Sequence, residues 1–316
     1  MGNYYSVQQF SDADEHAQSL VETDQSYFQI ESGPFQSTLR QFDLDGLHLF
    51  AECSNRRVVQ CGQISAGSIG LAWTTLAGAA PTSRGREIDE LSIMVARSGE
   101  DWVLHVPPGT EIVGVTMSAD EFDRLAESLG LTTLQYGLRH SQFTPGSNRS
   151  TYALSALRSR IDVLKSNAAS LADAGPRAMA RKQLLDDLFC ALSESSSSSR
   201  FDVTRLTYSD IVKRSQEIAL GNAEYPTSVL DLCSELRICR RTLQKSFLQV
   251  TGQSPSSYLR AVRLCGVRRL LRSTLANQMT IANAAARWGF FHLGNFASDY
   301  RRLFGELPSR TPRFAS

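Results

Sequence analysis

The chain has 316 residues, with 33 Lys and Arg against 32 Asp and Glu and a formal net charge of +1. That length suits two domains, each able to bury its own core, and no apolar run approaches the roughly 20 residues needed to span a bilayer. The opening MGNYYSVQQF has neither a basic start nor an apolar core, so no secretory signal is expected. The six cysteines form no C-x-x-C pair and read as reduced thiols of a cytoplasmic protein. The near-neutral total hides a division. Residues 1–199 hold 15 Lys and Arg against 24 Asp and Glu, whereas residues 200–316 hold 18 against 8. A basic segment of that size is the electrostatic footprint of polyanion binding, and an acidic partner beside it would limit indiscriminate association.

Residues 1–25 are polar, with a short helix expected near Asp12–Val21. From about Phe28 to Met117 the pattern is strand-like. Leu47, Leu49, Ala51 and Cys53 alternate with polar neighbours after the turn signal Asp45-Gly46. Further runs are Val58–Ile64, Ser68–Trp73, Leu91–Ala96, Trp102–Val106 and Glu111–Met117. Many short strands with tight turns argue for a sandwich or small barrel, here a β-rich sensor domain over residues 1–130. Ser118 and Glu121 form a capping box that opens a helix through about Ser128.

Residues 131–199 read as a helical dimerisation segment with a linker. Leu154, Leu157, Ile161 and Leu164 stripe one helix (Tyr152–Asn167), and Leu184, Leu185, Leu188, Phe189 and Leu192 stripe the next (Arg177–Leu192). Such stripes pack either on their own domain or along a dimer seam. The run Ser193–Ser199, broken only by Glu194, reads as a flexible linker.

Residues 200–316 are helical throughout and repeat internally. Leu243, Phe247, Gly252, Pro255 and Ser256 recur 53 residues later as Phe296, Tyr300, Gly305, Pro308 and Ser309. In each copy an apolar i, i+4 pair is followed by a Gly that can stop the helix and a Pro that can start the next. A shorter helical pattern precedes each copy, so two helix-turn-helix units in tandem are expected. In the first, Ser228 and Asp231 cap the leading helix. Leu243 and Phe247 anchor the second helix inward, which turns Arg240, Arg241, Gln244 and Lys245 outward. Such donors suit guanine and adenine edges in a major groove. In the second unit Thr280 caps the leading helix, and His292 precedes a helix whose exposed positions are Leu293, Gly294, Asn295 and Ser298. These suit thymine methyls and groove shape, while Arg301 and Arg302 suit phosphate. A helix over Pro255–Ser273, roughly 28 Å long, joins the units at a spacing near one turn of DNA and adds Arg260, Arg263, Arg268, Arg269 and Arg272.

Residues from about 206 to 313 resemble the DNA-binding domain of the arabinose-operon regulator (AraC/XylS) family. The matching residues are Arg241-x-Leu243-x-x-x-Phe247, Gly252-x-x-Pro255, Tyr258-Leu259, Arg263-Leu264, Gly289-Phe290, Phe296, Tyr300, Phe304-Gly305 and Pro308. Two departures stand out: Cys239 replaces the usual Ser at the reading-helix cap, and Cys265 fills a position that is usually small. The stretch Trp288–Tyr300 is most similar to the ethanolamine-operon regulator branch, which would imply a small amine or a corrinoid as effector.

What the resemblance implies is an α+β protein. A cupin-like β-barrel sensor with trailing helices would precede an all-α tandem helix-turn-helix domain. The function implied is an effector-responsive activator that binds double-stranded promoter DNA as a homodimer and contacts RNA polymerase. A regulator without ligand, governed by abundance or a protein partner, is the alternative. A metal-dependent cupin enzyme fused to a DNA reader is the third reading, opposed by the lack of any H-x-H among the strands; only His48 and His105 lie in strand-like runs. No enzyme, metal or cofactor is therefore expected. An effector would meet His48, Phe50, Trp73 and Trp102 as its first-choice lining residues.

Overall fold

The computed structural model describes residues 4–75, 78–83, 86–131, 142–193, 195–197, 203–221, 225 and 227–313. The N-terminal half is built from β1 (Tyr5–Phe10), β2 (Thr23–Gln29), β3 (Ser37–Asp43), β4 (His48–Ser54), β5 (Val58–Ile64), β6 (Ser68–Thr75), β7 (Thr82–Ser83), β8 (Arg86–Glu87), β9 (Ile93–Arg97), β10 (Asp101–Val106) and β11 (Glu111–Ser118). Two later strands, β12 (Gln142–Pro145) and β13 (Ser195–Ser197), extend one sheet. The helices of this half are α1 (Ala13–Gln18), α2 (Ala119–Ser128), α3 (Asn148–Ser166) and α4 (Ala174–Ser193).

The strands make two antiparallel sheets, ordered β1-β3-β4-β11-β6-β9-β12-β13 and β2-β5-β10-β7-β8. Among the described residues their pairing gives two sheets and closes no barrel, so the N-terminal half is β-rich as expected and the cupin-like barrel is not confirmed. The β3–β4 hairpin turns through Asp45 (φ +55) and Gly46 (φ +86), the left-handed pair that a two-residue hairpin loop requires.

Both faces of both sheets are covered, which makes four layers. Leu49, Ala51, Leu71, Trp73, Val113 and Val115 of the larger sheet pack beneath Phe122 of α2, Leu154, Leu157 and Ile161 of α3, and Leu184, Leu188 and Phe189 of α4. The stripes read as a possible dimer seam are thus spent inside the chain, leaving Tyr152, Val163 and Met179 as exposed apolar residues on α3 and α4. Between the sheets lie Phe35, Val58, Leu104, Val106 and Ile112. The Ser-rich run is not simply a linker. Ser195, Ser196 and Ser197 pair with Pro145, Thr144 and Phe143, because backbone ladder bonds need no apolar side chain.

The fourth layer is the C-terminal domain: α5 (Val203–Gly221), α6 (Val229–Glu235), α7 (Arg240–Thr251), α8 (Pro255–Arg272), α9 (Ile281–Arg287), α10 (Leu293–Phe304) and a terminal 3₁₀ turn at Pro308–Arg310. Its core is continuous with the outer face of the smaller sheet, where Phe28, Ile30 and Val59 join Leu243, Phe247, Tyr258, Val262 and Tyr300. Along β5, Val58 faces the other sheet while Val59 faces the helices. This two-sided burial explains why β5 reads as a continuous apolar start instead of a clean alternation.

Charge closes the same interface. Asp12 caps α1, accepting from the amides of Asp14 (3.0 Å) and Glu15 (3.1 Å). Its other oxygen accepts from Arg268 Nε of α8 at 2.6 Å, and Arg268 also bonds Glu306 at 2.5 Å. Arg269 pairs with Asp14 at 2.5 Å, and Arg272 pairs with Glu15. Burial pushes the Asp12 carboxyl up, yet the Arg268 guanidinium, with Arg272 and the Glu15 amide, together more than offset it and hold the group below the usual carboxylate range. For Asp14 burial prevails over Arg269, and its value is raised. Three of the five arginines on the joining helix are therefore committed to an acidic helix of the other domain.

His105 lies in this interface, 4% exposed, its ring centroid 6.3 Å from that of Tyr258. Burial, with the nearby positive Arg57 adding to it, brings its pKa down to about 4. The unfolded chain takes a proton on this ring near 6.5, whereas the native one does not until about 4. Stability from this residue is thus complete above pH 6.5 and is lost as pH falls through that window, on the order of 3 kcal/mol in all. Melting temperatures measured from pH 7 to 4 should fall for the native chain and fall distinctly less for His105→Gln; parallel curves would assign the pH dependence elsewhere.

Candidate nucleic-acid interface

Each helix-turn-helix unit is shaped by local sequence. In the first, Ser228 Oγ accepts from the Asp231 amide (3.1 Å) while the Asp231 carboxylate accepts from the Ser228 amide (2.8 Å), the reciprocal cap expected from the sequence. Arg237 makes the turn at φ +53, a left-handed conformation unusual for a residue with a side chain. The reading helix α7 then starts at Arg240 and stops at Gly252 (φ +71). In the second unit Thr280 caps α9, accepting from Asn283 (3.1 Å), Gly289 (φ +76) makes the turn, and α10 stops at Gly305 (φ +77).

The two units are not related by one offset throughout. The leading helices, from Ser228 and Thr280 to the turn residues Arg237 and Gly289, differ by 52 positions. So do the turn bonds Ile238 N to Cys233 O and Phe290 N to Ala285 O. The reading helices, from Cys239 and His292 onward, differ by 53. The second turn therefore holds one additional residue, Phe291, whose side chain is 67% exposed. The 53-residue repeat does not reveal this, because its matched residues all lie at or beyond Leu243 and Phe296, past the turn.

Leu243, Phe247, Phe296 and Tyr300 are all buried, as their i, i+4 spacing required. On the opposite side Arg240, Arg241, Gln244 and Lys245 of α7 are exposed, with Lys245 Nζ 5.5 Å from the Tyr208 ring. Leu293, Gly294, Asn295, Ser298 and Arg301 of α10 are exposed as well. Among the described residues no carboxylate pairs with Arg240, Arg241 or Arg301, so these guanidiniums remain available to phosphate or base. Arg302, also exposed, differs: it pairs with Asp299, which in turn accepts from Arg260 of α8 at 2.9 Å. Cys239 forms no side-chain cap bond. Its sulfur lies 3.2 Å from the Thr242 hydroxyl, which holds the exposed thiol below its ordinary value.

The four residues expected to line an effector pocket are not brought together. Trp73 is fully buried on the helix-covered face of the larger sheet. Phe50 and Trp102 pack between the sheets, and the Phe50 ring lies where a side chain on Gly114 would stand, 2.4 Å from an added Cβ. His48 sits between Glu22 (3.7 Å) and Asp43 (4.0 Å). The alternation that placed these residues on strands could not say which of two covered faces each would take.

Sequence reasoning missed the polar centre of the sandwich. Glu52 is 4% exposed and accepts from Tyr27 Oη (2.7 Å) and Gln60 Nε2 (2.8 Å), with His16 Nε2 of α1 at 3.0 Å. Burial, and then the Glu52 carboxylate, raise Tyr27 well above the ordinary phenol range. The only signal was a Glu on the inward parity of β4, beside Phe50. Among the described residues no group of three His, Cys, Asp or Glu is disposed to hold a metal, and no helix is long and apolar enough to cross a membrane.

The comparisons with known proteins agree with this geometry. A helix-turn-helix domain family matches residues 232–313. The chain is 42% identical over 73 residues to the XylDLEGF operon transcriptional activator of Pseudomonas putida, a match covering 23% of each protein. It is 32% identical over 104 residues to a probable thc operon regulatory protein of Rhodococcus erythropolis, covering 33% of this chain and 31% of that one. Among solved structures, a probable AraC family transcriptional regulator from Rhodopseudomonas palustris is 35% identical, with 32% of this chain and 94% of that chain covered and a TM-score of 0.30. The C-terminal domain of this chain belongs to the AraC/XylS family of DNA-binding transcription regulators. The chain spans only about a quarter to a third of the length of those two curated relatives.

Gly266 of α8 positions the second unit. A Cβ there would lie 2.3 Å from the Trp288 indole, which closes α9 against α8. Gly266→Ala should destabilise the fold by about 1–3 kcal/mol through overpacking, although Ala gains about 1 kcal/mol of helix propensity over Gly. Denaturant melts measure the balance; an unchanged or higher midpoint would show that the indole yields freely.

Proposed function

We propose that the whole chain is a one-component, sequence-specific transcription regulator of the activating kind, gated by a small-molecule effector. It binds promoter DNA as a homodimer and engages RNA polymerase from the bound site. The observation that carries this reading is the pair of reading helices, α7 and α10, which bury Leu243/Phe247 and Phe296/Tyr300 and present unpaired donors and small residues outward. The joining helix α8 has 18 residues, about 27 Å at 1.5 Å each, which suits helices entering successive major grooves on one face. The relatives named above are regulators of operons, which supports the same reading and gives an enzyme no support.

The first unit supplies hydrogen-bonded readout through Arg241, Gln244 and Lys245. The second supplies fit through Leu293, Gly294 and Asn295 and anchoring through Arg301. An effector acts only if it binds one arrangement of the two domains better than the other, and the shared core of Phe28, Ile30 and Val59 with the helices gives it a surface to act on. Arg302 is the weaker of the two phosphate candidates, because Asp299 already neutralises it.

Arg241→Ala should lower binding to the cognate site by about 1–3 kcal/mol and relax the preference at one base pair. Anisotropy titrations on cognate and scrambled duplexes decide it, and equal losses on both would remove Arg241 from base readout. A genome-wide footprint of the bound protein tests the regulator itself: discrete sites upstream of operons are expected, and uniform occupancy would refute it.

A further inference from the structure

We infer that the short segment Gln29–Gly33 of the sensor half is a spacing gauge for the DNA reader. It fixes the distance and rotation between α7 and α10, and so the number of base pairs separating the two stretches of sequence that one chain reads. The inference rests on the DNA-binding reading above.

One short piece of chain touches all three elements that define the reader's geometry. Just past the end of α7, Gln253 Nε2 donates to the Ile30 carbonyl at 2.5 Å. In the middle, Cys265 of α8 donates through Sγ to the Gln29 carbonyl at 3.4 Å. At the end of α10, the Leu303 carbonyl accepts from Gln29 Nε2 (2.8 Å) and from the Gly33 amide (2.9 Å), and the Arg302 carbonyl accepts from the same amide at 3.1 Å. The last carbonyls of a helix have no partner within it, so the sensor supplies donors that the reader itself lacks. Gln29 is 2% exposed, and its two N–H bonds are shared among the carbonyls of Leu303, Glu31 and Gly33, which holds the loop in this shape. Gly33 has φ +116, and a Cβ there would meet the Arg56 guanidinium at 2.6 Å. The anchoring points Ile30 and Gly33 are three residues apart, at most about 10 Å of chain, so the C-terminal ends of both reading helices are tied to one short strut.

The lever is long enough to matter. Each reading helix has 12 residues, about 18 Å. A tilt of about 10° pivoting at the tied end moves the leading residues by about 3 Å, close to the 3.4 Å rise of one base pair. Insertion of one base pair also rotates one half of the site by roughly a tenth of a turn. Contacts that hold the tied ends in place therefore select one separation, and Gln29 and Gln253 act as positioning residues that touch no DNA.

The test uses the full chain. A preferred site is first selected from random duplexes with the native protein. Affinity is then measured on that site and on versions with one base pair inserted or deleted between the two contacted segments. The native chain should lose about tenfold or more on either change, a single-mismatch-sized penalty. Gln29→Glu, which keeps side-chain size but removes the donors, combined with Gln253→Ala should bind the unaltered site within a few fold and lose less than about threefold on the altered ones. If the double variant fails to fold by circular dichroism, Gln253→Ala alone carries the test, since its half-buried side chain makes a single contact with the segment. A uniform loss on all three sites would make the contacts merely stabilising and overturn the inference, as would an undiminished spacing penalty. Failure to select any site would overturn the regulator reading and the gauge together, whereas either spacing outcome bears on the gauge alone.

Discussion

A buried guanidinium organises the molecule. Arg268 lies on the helix that joins the two reading units, and its partners Asp12 and Glu306 come from the opposite ends of the chain. A charge taken from water this completely is tolerated only when it is paired and hydrogen-bonded. One side chain thus ties the cap of α1, the trunk of the DNA reader and the chain's final turn to each other. Neighbouring Arg269 and Arg272 extend the same contact to Asp14 and Glu15. The division of charge between an acidic first half and a basic second half is therefore consumed in part inside the protein. The positive charge left for DNA is concentrated on the reading helices and their flanks, not along the joining helix.

The smaller sheet is the second organiser. One face packs on the larger sheet and the other forms part of the reader's core through Phe28, Val59 and Val103. Helix α1 spans the edge of this arrangement: His16 faces Glu52 inside the sandwich, while Asp12, Asp14 and Glu15 grip α8 outside. Along α1 the residue that meets Glu52, His16, and those that meet α8 lie within about one helical turn of each other. The N-terminal half and the DNA reader share packing in the manner of layers within one domain, with Phe28, Ile30 and Val59 in the core of the C-terminal helices.

The C-terminal half was legible because its signals are local. The capping box at Ser228, the glycine stops at 252 and 305, and the paired anchors Leu243/Phe247 and Phe296/Tyr300 each specify geometry within a few residues. Six strands of the first half, β4 to β6 and β9 to β11, were found for the same reason, within one or two residues at their ends, whereas β1, β2 and β3 carry no such alternation signal. What could not be read depends on distant partners. Nothing near Trp73 or Phe50 in sequence says which of two covered faces each occupies, so the proposed lining set scattered. Ser195–Ser197 has no intrinsic strand pattern and is a strand only because β12 offers its backbone. The arginines of α8 were visible as charge, but the α1 partners of Arg268 and Arg269 lie some 255 residues away.

The additional residue Phe291 gives the reader a polarity. Two identical heads would present the same chemistry to both halves of a site. With one turn longer by a residue and the two exposed faces chemically unlike, the molecule has a distinguishable front and back. The order in which the two heads lie along a bound duplex is then set by the DNA, because the exposed faces of α7 and α10 differ.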